Sequence, residues 1–198
     1  MDKLALTDFP IDERIAQRWS PYVFSDRGID YEVLRSIFEA ARWSPSSFNE
    51  QPWRYIVGLK GQDSIHGEIV NCLAQGNQLW AKYAPVLIIG IYQRHFSSSG
   101  KLNKAAPHDL GLASAHMAFE ASRHGLFAHM MIGLDPESAR EKFGIPEDAE
   151  AYVAMAIGYH GEADAIDPSL VEREKKPRTR IAQRDFVFSG SFGNAANF

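Results

Sequence analysis

Two prolines bracket a polar loop early in the chain, and no other stretch limits the fold so tightly. In Trp43-Ser44-Pro45-Ser46-Ser47-Phe48-Asn49-Glu50-Gln51-Pro52-Trp53 an apolar helical pattern stops and a β-branched, aromatic run begins. Pro45 removes a backbone donor and disfavours α geometry at Ser44, so the helix must end there. Ser46, Ser47, Asn49 and Gln51 then crowd side-chain donors and acceptors into a turn stiffened by Pro45 and Pro52. Such a loop suits the polar edge of a flat ligand. The same residue types populate ordinary turns, so taken alone the segment also reads as a helix-to-strand connection that bonds only its own backbone.

Around this loop the patterning predicts an alternation of helices and strands. Ile11, Ile15 and Trp19 recur at helical spacing, giving a short helix over 11–19 that Ser20-Pro21 stops. Asp30 is placed to cap the next helix, whose buried stripe is Val33, Leu34, Ile37, Phe38 and Ala41. Trp53 to Leu59 reads as a strand broken by Gly61, and Ile65, Ile69 and Leu73 mark a third helix. Gly76-Asn77-Gln78 is expected to interrupt the helical pattern before a further turn at Leu79-Trp80. Pro85 to Tyr92 is an apolar run of strand length, expected to be buried on both faces. Residues 93–106, with Ser97-Ser98-Ser99-Gly100, form the longest predicted loop and the best candidate for a mobile lid.

A long central helix follows from His108 to His124, rich in alanine and closed by Gly125. Its alanines and Gly111 permit close approach of another helix, which suits a subunit-interface helix or a plain core helix. Leu126 to Ile132 and Ala151 to Ile157 are further strands; Asp135-Pro136 and Asp167-Pro168 open the last two helices. Phe186-Val187-Phe188 is a candidate terminal strand. Few strands among long helices favour an α+β fold or three-layer sandwich over a doubly wound sheet, in one domain spanning 1–198.

Several functions are disfavoured. A net charge of −4 argues against a general nucleic-acid binder. The one cysteine, Cys72, permits no intramolecular disulfide and no multi-cysteine metal cage; among Ile69, Val70 and Leu73 it reads as a buried, inert thiol. His116 and His124 stand two helical turns apart, too far to share a metal, so no metal site is expected. No Gly-x-Ser-x-Gly marks a hydrolase and no Gly-x-Gly-x-x-Gly opens a Rossmann helix. With neither an apolar span nor a leader-like N-terminus, a cytoplasmic location away from membranes is expected.

The positive features lie at the two ends. Arg18-Trp19-Ser20-Pro21 puts an arginine at a helix end beside a hydroxyl, a pairing suited to phosphate, although a lone arginine is usually solvated. Near the other terminus stands Lys175-Lys176-Pro177-Arg178-Thr179-Arg180, which alone reads as a solvated basic tail. Arg-x-Ser, then Pro-Ser-Ser-x-Asn-x-Gln-Pro-Trp, then Arg-x-Arg, in that order, resembles the FMN-dependent nitroreductase family from about Ile11 to Phe198.

The resemblance implies a three-layer α-β-α sandwich in a homodimer, with a C-terminal extension wrapping the partner subunit. The apolar segment from Phe186 to Phe198 lends this independent support. It implies FMN as cofactor, its phosphate held by Arg18, Ser20, Arg178 and Arg180, with Trp19 and Tyr22 in the same segment. Tyr22 stands where the family often has a basic residue and offers a hydroxyl instead. The ring would border Pro45, Ser46, Ser47 and Asn49, with Asn77 at its pyrimidine side. Met130-Met131-Ile132-Gly133 resembles the segment whose backbone N–H groups face the flavin N5; on residue types alone it reads equally as a strand end with methionines in the core. His129, just before it, is a candidate pocket residue. No side chain is assigned as catalytic nucleophile or base. The implied reaction passes hydride from NAD(P)H through FMN to a small acceptor such as a quinone or nitroaromatic, in ping-pong order. The rivals are a flavin- or small-ligand-binding protein of the same fold without turnover, and a flavin-remodelling or dehalogenating relative.

Overall fold

The computed structural model describes residues 3–162 and 166–198. Four strands form one antiparallel sheet: β1 (Trp53–Leu59), β2 (Val86–Gln93), β3 (Phe127–Met131) and β4 (Ala149–Gly158). Their order is β1-β2-β4-β3, which leaves β1 and β3 at the edges. The continuous apolar character of β2 follows from this central place, with helices against both of its faces.

On one face pack α2 (Tyr31–Arg42) and α5 (Ala106–Arg123). Their Leu34, Ile37, Leu110 and Met117 close over Val86 and Ile88 of β2 and Val153 and Met155 of β4. On the other face lie α3 (Ile65–Asn71), α4 (Gln75–Ala81) and α6 (Pro136–Phe143), burying Ile69, Trp80 and Ala139 against Leu87, Ile89 and Ile91. Because successive strand residues point to opposite faces, the one sequence Val86-Leu87-Ile88-Ile89 supplies both cores. The result is an α+β fold in three layers, α-β-α. A short α1 (Glu13–Gln17) precedes these layers and α7 (Pro168–Lys175) follows them.

Small residues set the layer spacing. Ala113, Ala118 and Ala121 of α5 are buried in the core shared with α2 and the sheet, whereas Gly111 is exposed. Gly58 of β1 has no room for a side chain: a Cβ there would lie 2.5 Å from the backbone of His66, so α3 rests directly on the strand.

Several elements differ from expectation. α4 runs straight through Gly76-Asn77-Gln78, because Trp80 and Ala81 are fully buried and their burial outweighs the weak helix propensity of glycine and asparagine. Asp30 holds the N-cap position of α2 but its side chain accepts no first-turn N–H, unlike Asp135 and Asp167, which accept first-turn N–H groups of α6 and α7. α1 is shorter than its apolar spacing predicts, and Ile11 and Ile15 stay exposed. Phe186-Val187-Phe188 forms no strand; a short 3-10 turn at Gln183–Asp185 leads into a single bridge between Phe188 and Ala195. Gly190 and Gly193, both at positive φ, fold this segment back on itself, so Phe188 stacks near Phe192 at 4.9 Å rather than joining the sheet. The 93–106 loop is partly ordered by a bridge between His95 and Leu102 and by the Asn103 N–H donating to the Arg94 carbonyl at 2.7 Å. Among the described residues no helix is long and apolar enough to cross a membrane.

Candidate functional site

The two basic segments, far apart in sequence, meet. α1 ends at Arg18, which turns to extended backbone, and the next residue, Trp19, is buried edge-on against Phe127 with ring centroids 5.4 Å apart. That anchor sends Arg18 and Ser20 to one side; the Arg18 Nη1 lies a long 3.5 Å from the Ser20 hydroxyl. Arg178 donates to the Ala16 carbonyl at 2.5 Å and to that of Lys3 at 2.9 Å, and among the described residues Arg180 donates only to its neighbour's carbonyl, that of Thr179.

Three guanidinium groups thus share one cavity, which Asp8 also lines, and among the described residues none of them forms an ion pair with a carboxylate. Burial pushes the Arg18 guanidinium below its ordinary value, and the charge of Arg180 adds to the effect. Arg178 is lowered likewise, by burial first and then by Arg18 and Arg180. Like charges held together in this way favour an anion that carries more than one charge.

Two cavities meet at Arg18. One, of about 430 Å³, is lined by Arg18, Arg178 and Arg180 with Phe9, Ile15 and Phe186. The other, of about 280 Å³, is lined by Arg18, Ser20, Phe119, His129 and Met130. His129 is fixed there by its Nδ1, 2.7 Å from the Pro21 carbonyl, and by its ring stacked on Trp80 at 4.3 Å. Burial holds this imidazole below the usual histidine range, opposed by the Pro21 contact. In the neutral ring Nδ1–H is the donor, which leaves Nε2 an acceptor. The Tyr22 ring packs edge-on against both Trp80 and His129, with the Arg173 guanidinium 4.9 Å above it, so Tyr22 belongs to an aromatic cluster.

The segment from Met130 to Gly133 leaves the sheet beside this cavity. Met131 points into the core while Met130 and Ile132 point out. β3 is an edge strand, so one side of its backbone has no strand partner and can offer N–H groups to a ligand. The Gly133 carbonyl accepts from the Ala74 N–H at 3.0 Å and from the Asn77 side-chain amide at 3.1 Å. A Cβ on Gly133 would come within 2.6 Å of that amide nitrogen. Asn77 and Gly133 are therefore brought together, with the Asn77 N–H already engaged.

The polar loop stands apart. Phe48, Asn49 and Gln51 all hold positive φ, near 50°, a conformation costly for side chains of this size. Two groups of α5 hold the loop down: Asp109, buried, accepts the Ser47 N–H at 3.0 Å, and His116 Nδ1 lies 2.9 Å from the Ser44 hydroxyl. The Ser46 hydroxyl accepts the Gln51 N–H at 3.0 Å, so this side chain does serve its own loop. The side chains of Ser47 and Asn49 make no hydrogen bond among the described residues, and Pro45 and Asn49 are exposed. Neither cavity at Arg18 includes Ser46, Ser47 or Asn49. Asp109 and His116 escaped the sequence reading as loop anchors; the only signal was an acid in the first turn of an otherwise apolar helix.

Comparison with known proteins supplies the remaining context. The sequence profile of the Nitroreductase family matches residues 15–159. A protein of Methanothermobacter thermautotrophicus, provisionally named an NADH dehydrogenase/NAD(P)H nitroreductase, is 30% identical over 82% of this chain and 86% of its own length. A crystal structure described as an oxidoreductase containing FMN superposes with a TM-score of 0.89 at 33% identity, covering 96% of each chain. A nitroreductase family protein of Clostridium difficile superposes with a TM-score of 0.71 over 93% of this chain and all of its own; at 22% identity it speaks for the fold alone.

Proposed function

The chain belongs to the nitroreductase family, and on that premise we propose that it is an FMN oxidoreductase taking hydride from NAD(P)H and reducing a small organic acceptor. The observation that carries this reading is the convergence of Arg18, Arg178 and Arg180 beside the Ser20 hydroxyl: Asp8 lines the same cavity, but among the described residues none of the three forms an ion pair with a carboxylate. A phosphate monoester bears roughly two negative charges at neutral pH and suits such a cluster. The unpaired backbone edge of β3, an edge strand of the sheet, provides a place where a flat ring can meet main-chain donors.

When bound, FMN would supply the redox chemistry that links oxidation of NAD(P)H to reduction of a quinone or nitroaromatic in ping-pong order. The chain's own residues bind and orient. Arg18, Arg178, Arg180 and Ser20 fix the phosphate end; the backbone of Met130 to Gly133 and the Asn77 side chain border the ring; oriented N–H dipoles there favour negative charge on it. No side chain acts as nucleophile or base. Ser46, Ser47 and Asn49 lie outside the arginine cavities of their own chain, which supports a homodimer in which this loop completes the partner's site.

The purified protein should be yellow, or become so on reconstitution with FMN, and should oxidise NAD(P)H in the presence of a quinone or nitroaromatic. Bound flavin that NAD(P)H fails to reduce would favour a binding protein without turnover. A protein that retains no FMN would end the proposal.

A further inference from the structure

The convergence of the two basic segments needs a cause, since the three like charges repel one another. Glu174, near the end of α7, is buried at 5% exposure despite its charge. Its Oε2 accepts the backbone N–H groups of Tyr22 at 2.7 Å and Val23 at 3.1 Å. Its Oε1 lies 2.5 Å from His160 Nε2, just beyond β4, and its backbone carbonyl accepts from the Lys3 ammonium. A buried carboxylate persists only when its lone pairs are met, and here main-chain and side-chain donors from separate parts of the fold meet them. Tyr22 and Val23 directly follow the segment that carries Arg18 and Ser20, and Arg178 and Arg180 directly follow α7. No arginine of the cluster pairs with Glu174, and the nearby Arg173 lies over the Tyr22 ring. The carboxylate therefore joins the two segments without neutralising the charges they present.

We propose that Glu174 is a positioning residue that sets the spacing between the Arg18–Ser20 segment and the Arg178–Arg180 segment, and thereby the preference of the site for phosphorylated over unphosphorylated flavin. This rests on the FMN reading above. The contact joins the two segments assigned to the phosphate end, so its loss should be felt by FMN rather than by riboflavin, which shares the ring and ribityl chain but lacks the phosphate.

The test is titration of the full-length protein, freed of bound flavin, with FMN and with riboflavin. The parent should hold FMN more tightly. Glu174→Ala should weaken FMN about tenfold, the scale of one charge-assisted hydrogen bond, and leave riboflavin unchanged. Glu174→Gln, whose carbonyl oxygen can still accept both main-chain N–H groups, should recover most of the FMN affinity. If Glu174→Ala does not fold, Glu174→Asp carries the test: its carboxylate draws back from Tyr22 and Val23 and must show the same selective loss. Equal weakening of both flavins, or no change in either, overturns the proposal. So does a Gln variant as weak as the Ala variant. A parent that binds FMN no better than riboflavin overturns the arginine assignment itself, and this inference with it.

Discussion

Arg18 is the residue on which the two cavities turn, and its surroundings set what its removal should do. It is half-buried, forms no ion pair with a carboxylate among the described residues, and carries the repulsion of Arg180. A bound phosphate relieves that repulsion, so the guanidinium contributes more to binding than to the empty fold. Arg18→Ala should therefore weaken FMN retention by about 1.5–3 kcal/mol, roughly ten- to a hundredfold, with little change in thermal stability of the flavin-free protein. Flavin titration with parallel melting curves checks both parts; unchanged affinity would remove Arg18 from the phosphate end. The arginines and serine of the proposed phosphate end stood out in the sequence by type, because phosphate calls for positive charge and hydrogen-bond donors. Glu174 was not, since a glutamate on a charged helix looks like any solvated glutamate until the fold buries it.

At the scale of elements, glycines decide how closely helices seat on the sheet. At Gly58 an added Cβ meets the His66 backbone at 2.5 Å, whereas at Gly133 it meets the end of the Asn77 side chain at 2.6 Å. Backbone in a packed helix cannot step aside, but a side-chain amide can. Gly58→Ala should therefore destabilise the fold by about 1–3 kcal/mol and Gly133→Ala by less. Gly133→Ala should instead disturb the β3 exit and change the visible spectrum of bound flavin. Denaturant unfolding and absorbance spectra separate the two; equal destabilisation with an unchanged spectrum would deny Gly133 a role at the ring. The four strands were readable from apolar runs between breakers, because a strand buried on one or both faces must be apolar. α4 was not, since its helix depends on Trp80 being buried by other elements, and the Phe186 segment was misread because strand composition does not supply a strand partner.

For the whole molecule, one chain presents the arginine cluster and the polar loop as separate surfaces, and its Phe48 and Phe192 are almost fully exposed, at 92% and 95%. In the dimer proposed above, a partner subunit would cover aromatic surface that a single chain leaves to solvent. The protein should therefore run as a dimer by light scattering, and FMN retention should fall together with dimer content on dilution; a monomer that holds FMN fully would contradict the shared site. The sequence by itself determined the alternation of elements, the two-faced core and the residue types of the segments proposed to meet the phosphate and the ring, because burial and bonding capacity are properties of residues. Only the tertiary structure decided that Arg18 meets Arg178 and Arg180, that Glu174 ties their segments together, and that the polar loop lies elsewhere on its own chain. Distances between residues remote in sequence are fixed by packing, and no local pattern encodes them.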